Sequence, residues 1–210
     1  MKYEALIFDL GNTIFYIDFD RTFQYWAEKT GLSLETVKAR FQFDEAHKRF
    51  ERGLLGEHSY ARHVAKLLQV DLSLEEFFFG WNALYLENLP LIEELLILLK
   101  KKYKVVALSN TNITHEKVWH FKYDYLFKHF DHVFASHHIR YIKPQAAAYQ
   151  TVLDYLQTPP HKTIFLDDKA ENIVGAEAIG IKGIQVKTAR KMYEELVECG
   201  VLKGSFLDNM

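Results

Sequence analysis

The stretch Ala5-Leu6-Ile7-Phe8-Asp9-Leu10-Gly11-Asn12-Thr13 decides how the rest of the chain is read. Consecutive apolar residues, rather than an apolar–polar alternation, mark a short strand buried on both faces, as in a parallel sheet. The run stops on a carboxylate. The same pattern returns at Val105-Val106-Ala107-Leu108, His132-Val133-Phe134-Ala135, Thr163-Ile164-Phe165-Leu166 and Gly183-Ile184-Gln185-Val186. Segments with helical spacing lie between the runs, among them 91–102, 145–157 and 170–179. Strand–helix alternation of this kind predicts an α/β fold built on a doubly wound parallel sheet.

The first two strands are far apart in sequence, and no run between them reads as a strand. The spacing predicts helices there instead, over 21–30 closed by Gly31, 34–49, 58–69 and 74–86. Gly53 and Gly56 interrupt the block, and Ser73 followed by Glu76 forms a capping box before its last helix. The expected organisation is a catalytic core of residues 1–16 and 89–210, with a helical cap of residues 17–88 inserted after the first strand.

Composition narrows the function. The 210 residues carry 26 basic and 28 acidic side chains, a net charge of −2, so no basic excess tracks a phosphate backbone and nucleic-acid binding is disfavoured. The most apolar stretch, Leu89 to Leu99, contains Glu93 and Glu94 and is too short to span a bilayer. The N-terminus lacks signal-peptide architecture, and a single cysteine, Cys199, fits a reducing compartment. A cytoplasmic protein without membrane partners is expected, and the sequence leaves monomer and weak dimer both open.

Ligands of open α/β sheets bind at the carboxyl ends of the strands. Here those ends carry Asp9, Ser109-Asn110 and Asp167-Asp168, with Lys143 a short loop beyond the third run. Carboxylates, a hydroxyl, an amide and an ammonium converging on one edge suit phosphoryl transfer. An aspartate nucleophile can form an aspartyl-phosphate, and Mg²⁺ takes one or two carboxylates beside phosphate oxygens. Asp9 with Asp168 can supply that pair. Ser109, Asn110 and Lys143 can then hold the transferring oxygens.

These residues resemble the motifs of the haloacid dehalogenase-like hydrolases. The first is similar to Phe8-Asp9-Leu10-Gly11-Asn12-Thr13, the second to Leu108-Ser109-Asn110, the third to Lys143-Pro144, and the fourth to Phe165-Leu166-Asp167-Asp168 continuing through Asn172. Within that superfamily the chain looks most like the bacterial α-D-glucose-1-phosphate phosphatases. They share with it Ile17-Asp18-Phe19-Asp20, Gly80-Trp81 and Leu108-Ser109-Asn110-Thr111-Asn112. The resemblance implies Asp9 as nucleophile, Lys143 as a second catalytic residue, and Ser109, Asn110 and Lys143 as phosphate contacts. It implies a Mg²⁺ site at Asp9, Gly11 and Asp168, with Asn12, Asp167 and Asn172 in support. The expected substrate is a small phosphorylated metabolite, a sugar phosphate by this resemblance.

Two departures from the superfamily pattern stand out. Gly11 occupies the position where most of its phosphatases carry a general acid–base aspartate, and Gln145 stands where an acidic residue often follows the Lys-Pro pair. Asp18 and Asp20 are candidates to replace the acid, with helix capping the competing role. The Phe77-Phe78-Phe79-Gly80-Trp81 run reads mainly as an apolar cap face, with Trp81 the residue expected to reach the substrate. The histidines, His115, His120 and His137-His138 among them, read as solvated or core side chains rather than a metal site. The competing functions are dehalogenation of a small acid, which needs no Mg²⁺ and usually places an aromatic at position 11, and a phosphate-ligand binding protein with little turnover.

Overall fold

The computed structural model describes residues 2–209. The chain begins with β1 (Ala5–Phe8) and β2 (Phe15–Ile17), then passes through α1 (Phe19–Thr30), α2 (Leu34–Arg40), α3 (Glu45–Glu51), α4 (Glu57–Leu68) and α5 (Leu74–Trp81). It returns through β3 (Tyr85–Asn88) to α6 (Ile92–Lys100), β4 (Lys104–Ser109), α7 (Ile113–Phe127), β5 (His132–Ala135) and α8 (Ser136–Ile139). The remaining elements are α9 (Ala146–Leu156), β6 (Thr163–Asp167), α10 (Ala170–Glu177), β7 (Lys182–Gln185) and α11 (Ala189–Glu198).

Five strands form one parallel sheet in the order β5-β4-β1-β6-β7, so the strand carrying Asp9 is central. All four residues of β1 are buried, and they alternate between two cores. Leu6 and Phe8 face a cluster built with Leu95 and Leu96 of α6, Trp119 of α7 and Met192 and Tyr193 of α11. Ala5 and Ile7 face a cluster built with Tyr149 and Val152 of α9 and Ile173 and Ala176 of α10. Two-sided burial is why these strands read as continuous apolar runs. Among the described residues no helix is long and apolar enough to cross a membrane.

Helices α1 to α5 enclose their own cluster around Phe23, Trp26, Phe50, Tyr60, Phe77 and Trp81. Gly31 caps α1 at φ 72°, a left-handed turn that glycine adopts without Cβ strain. The Ser73–Glu76 capping box is formed at the start of α5.

Three expectations about this region are corrected. The segment 34–49 is two helices: Phe41 turns to extended backbone to bury its ring against Phe23 and Trp26, and Asp44 restarts the helix by accepting from the His47 amide at 3.0 Å. The helix expected over 74–86 stops at Trp81. Beyond it Tyr85–Asn88 pairs antiparallel with Phe15–Ile17, so the stretch between the first two core strands does contain strands. The ribbon is fastened at both ends, by Leu89 N to Ile14 O and Asp18 N to Leu84 O, each at 2.9 Å. Both chain connections to the helical insertion therefore run through one hydrogen-bonded ribbon. Such a short pair has little pattern of its own, because pairing and the stacking of Phe15 on Tyr123 of α7, at 4.2 Å between centroids, define it.

Candidate active site

The carboxyl ends of β1, β4 and β6 open into a cavity of about 770 Å³, lined among others by Asp9, Ser109, Asn110, Lys143 and Asp168. The size suits a small ligand. At its floor the Lys143 ammonium is 3% exposed and has three acceptors: Asp9 Oδ1 at 2.5 Å, Asp167 Oδ2 at 2.7 Å and the Leu108 carbonyl at 2.8 Å. Asp167 thus anchors the lysine, which answers the question raised by Gln145. Gln145 instead accepts from the Ile142 amide at 3.3 Å, within its own turn.

Asp167 is fully engaged. Besides Lys143 it accepts from Asn172 Nδ2 at 3.0 Å on each oxygen and from the Lys169 amide at 2.8 Å. Asn172 is held in turn because α10 lies close against the loop after Lys143. A Cβ at Gly175 would stand 2.8 Å from the Pro144 carbonyl oxygen, so only glycine allows that approach.

Asp168 is oriented from the other side. Asn12 donates to its Oδ2 at 3.2 Å while accepting from the Ile17 amide, also at 3.2 Å. Asn12 itself holds φ 55°, a left-handed conformation that asparagine tolerates better than most residues. The carboxylate oxygens of Asp9, Asp167 and Asp168 that could ligate a cation lie within 4.8 Å of one another. Among the described residues Asp9 Oδ2 and Asp168 Oδ1 accept no hydrogen bond.

Three carboxylates share this cluster with one ammonium. Burial, reinforced by the neighbouring Asp167 and Asp168 and opposed by Lys143, pushes the Asp9 carboxyl up to about 7. Burial also raises Asp168, with Asp167 adding to the effect and Asn12 opposing it. Burial works against the Lys143 charge, yet Asp167 and Asp9 outweigh it and hold the ammonium above its ordinary value. The cluster thus stores uncompensated negative potential around two free carboxylate oxygens, the donor set that suits a hard divalent cation.

Ser109 ends β4 on the cavity wall. Asn110 uses its side chain differently. Its Nδ2 donates to the Lys143 carbonyl at 2.9 Å, and its Oδ1 accepts from the Lys143 amide at 2.8 Å. That reciprocal pair fixes the lysine loop to β4 and leaves one amide hydrogen for a ligand.

Gly11 sits where the Ile17 side chain packs. A Cβ there would stand 2.8 Å from Ile17 Cδ1, the far end of a flexible side chain, so a larger residue would have to turn Ile17 aside. Neither proposed substitute enters the cavity. Asp18 caps α1 by accepting from the Asp20 amide at 2.9 Å, and Asp20 pairs with Lys38 at 2.7 Å on the surface.

Trp81 does not reach the cavity either. It is fully buried, stacked on Trp26 and on His115 of α7, the latter 4.6 Å away between centroids. His115 bonds the Trp81 carbonyl at 3.0 Å and Asn112 at 3.1 Å, and burial pushes its pKa down to about 3, so the ring is neutral. Beside Phe19 of α1 and the ribbon, the insertion presents to the cavity α3 and its approach: Phe43, Glu45, His47, Lys48, Glu51 and Arg52. Sequence reading missed them because a charged helix face ordinarily signals solvent. The available signal was the spacing of Glu45, Lys48 and Arg52 on one face and of His47 and Glu51 on the next.

A family model of haloacid dehalogenase-like hydrolases matches residues 3–180. A D-ribitol-5-phosphate phosphatase of Bacteroides thetaiotaomicron is 22% identical over 197 residues, covering 91% of this chain and 95% of its own. The crystal structure of a haloacid dehalogenase family enzyme from the same organism, in complex with magnesium and inorganic phosphate, shares the fold with a TM-score of 0.78 at 24% identity, over 89% of this chain and 96% of that one. An L-2-haloacid dehalogenase from Xanthobacter autotrophicus, with chloropropionic acid covalently bound, gives 0.65 at 19% identity, over 99% and 87%. The matched stretch runs from the strand before Asp9 to the helix after Asp168, and the chain belongs to the haloacid dehalogenase-like hydrolases.

Proposed function

We propose that the chain is a Mg²⁺-dependent phosphomonoesterase acting on a small sugar or sugar-alcohol phosphate through a phosphorylated Asp9. The observation that carries this reading is the charge imbalance at the cavity floor. Asp9 and Asp168 each keep a free oxygen there, while Asp167 is spent on Lys143 and Asn172. A phosphatase of this type needs that arrangement, with a nucleophile beside a cation site. Haloacid dehalogenation needs no cation, and a carboxylate cluster of this charge would be a liability in it. The relative acting on D-ribitol 5-phosphate supports a polyhydroxylated substrate.

One carboxylate oxygen of Asp9 would attack phosphorus as the ester P–O bond breaks, with the other left to the cation and the leaving oxygen taking its proton from solvent. Water then attacks the aspartyl-phosphate at phosphorus, freeing Asp9 and phosphate. Held between Asp9 and Asp168, Mg²⁺ would offset the excess negative charge and polarise the phosphoryl oxygens. Lys143 keeps Asp9 oriented and opposes the burial that favours its protonated form. Ser109 and the free hydrogen of Asn110, both on the cavity wall, would bind phosphoryl oxygens. Without an acid at Gly11, a contribution on the order of 10²–10⁴ in rate is missing, which favours substrates whose leaving group needs little protonation, an anomeric hydroxyl among them. Residues 17–88 would act as a cap, with the β2–β3 ribbon as its connection and α3 as the wall that chooses the substrate.

The test is a screen of phosphorylated sugars and sugar alcohols, each with Mg²⁺ and with EDTA. Phosphate release from a subset of them, abolished by EDTA, is the expected result. Release that ignores EDTA would refute the metal assignment, and ligand binding without release would leave a binding protein.

A further inference from the structure

Away from the cavity floor, Glu116 of α7 is surrounded by imidazoles. His137 Nε2 lies 2.8 Å from its Oε2, His138 Nε2 lies 2.8 Å from the same oxygen and 3.1 Å from Oε1, and His120 Nε2 lies 3.8 Å from Oε1. Glu116 and His120 are one turn apart on α7, while His137 and His138 are neighbours on α8. We propose that Glu116, His137 and His138 form a second metal site, for a transition ion of the zinc class.

The donor geometry is compact. One oxygen of Glu116 and one nitrogen from each of His137 and His138 lie within 4.8 Å of one another. Zinc–ligand bonds of about 2.0–2.2 Å need donors a few tenths of an ångström further apart than the present hydrogen bonds, a shift that side-chain rotation supplies. His120, or a water, is at hand for the fourth position. Two imidazoles and one carboxylate select zinc-like ions rather than Mg²⁺, which prefers an all-oxygen shell.

Access and support are both present. Glu116 and His137 are sheltered and fix the inner side, while His138 and His120 are open to solvent and leave an entry path. Among the described residues Nδ1 of His137 has no hydrogen-bond partner, so no group on the far side of the ring opposes moving the proton there when Nε2 takes a metal. On binding, each Nε2 exchanges the hydrogen it shares with the carboxylate for the metal, and that proton passes to Nδ1 or to solvent.

The position gives the ion a mechanical consequence. α8 is the element on which α3 rests: Ser136 Oγ donates to the Glu51 carbonyl at 2.6 Å, and Arg52 and Arg140 exchange side-chain-to-carbonyl hydrogen bonds, each 3.1 Å. Glu51 and Arg52 also line the large cavity. An ion bridging α7 and α8 therefore stiffens the seam that supports the cavity wall.

The experiment is a calorimetric and thermal-unfolding titration of Zn²⁺ into tag-free, chelator-stripped protein held in excess Mg²⁺. Wild type, Glu116→Gln, His138→Ala and His161→Ala, an exposed histidine elsewhere on the surface, are compared. The expected result is one equivalent of Zn²⁺ and a raised Tm in wild type and His161→Ala. A tenfold or greater loss of affinity is expected in Glu116→Gln and His138→Ala, at least the loss seen when outer-shell partners of metal sites are removed. Since His138 is mostly exposed, an unchanged Tm without Zn²⁺ shows that its variant is folded. Equal Zn²⁺ affinity in all four proteins, or none in wild type, would overturn the assignment.

Discussion

Burying a carboxylate costs free energy in any fold, and Asp9 is buried beside two others. Its pKa, raised from 3.8 to about 7, fixes the sign of the effect. The folded state holds the proton more tightly than the unfolded chain, so the contribution to stability is present below pH 3.8 and is lost as pH rises towards 7. Metal-free Asp9→Asn should therefore melt above the wild type at pH 8, with the gap closing near pH 4, while turnover of p-nitrophenyl phosphate disappears. Thermal scans at the two pH values decide this; a variant less stable at pH 8, or one that keeps turnover, contradicts the placement of Asp9. Asp168→Asn should behave differently, since on the proposed function Asp168 holds the cation rather than attacking phosphorus. Its activity should recover in part as Mg²⁺ is raised, and a loss indifferent to Mg²⁺ would make Asp168 structural. Asp9, Lys143 and the acidic pair were legible as residues because they stand at the end of an apolar run or a short loop beyond one. What was not legible is the division of labour between Asp167 and Asp168, which depends on Lys143 and Asn172 arriving from distant segments.

The elements differ in how openly the sequence declares them. The five core strands are apolar runs flanked by turn residues, and they stand where the runs stand. The β2–β3 ribbon and the break between α2 and α3 were hidden, because both depend on partners outside the local window. That misreading carried a functional error with it. Aromatic bulk in α5 drew attention to Trp81, whereas the cavity wall is the charged face of α3. Two substitutions separate these roles. Phe43→Ala, on a half-exposed ring beside the cavity, should shift discrimination among phosphorylated metabolites by roughly 10–200-fold while p-nitrophenyl phosphate hydrolysis changes little. Trp81→Ala empties a packed site and should cost about 3–5 kcal/mol of stability, lowering every substrate's kcat/KM alike. A kcat/KM panel with urea unfolding of both variants checks the assignment. Selective loss in Trp81→Ala, or uniform loss in Phe43→Ala, would reverse it.

Across the whole molecule, chemistry and choice are separated by origin. The central strand and its neighbours supply Asp9, Ser109 and Asp168, and the loop between α8 and α9 brings Lys143 to the same sheet edge. The insertion supplies the opposing wall and is joined to the sheet through a single ribbon. At Gly11 the two meet closely, because the Ile17 side chain of that ribbon packs where a Cβ would stand. The claim that holds these levels together is that Asp9 becomes phosphorylated during turnover. Acid quenching of wild type and Asp9→Asn during hydrolysis, followed by peptide mass mapping, tests it directly. A phosphoryl group on the wild-type peptide containing Asp9, absent from the variant, is the predicted result. Turnover with that peptide unmodified and the phosphoryl group on another residue would contradict it.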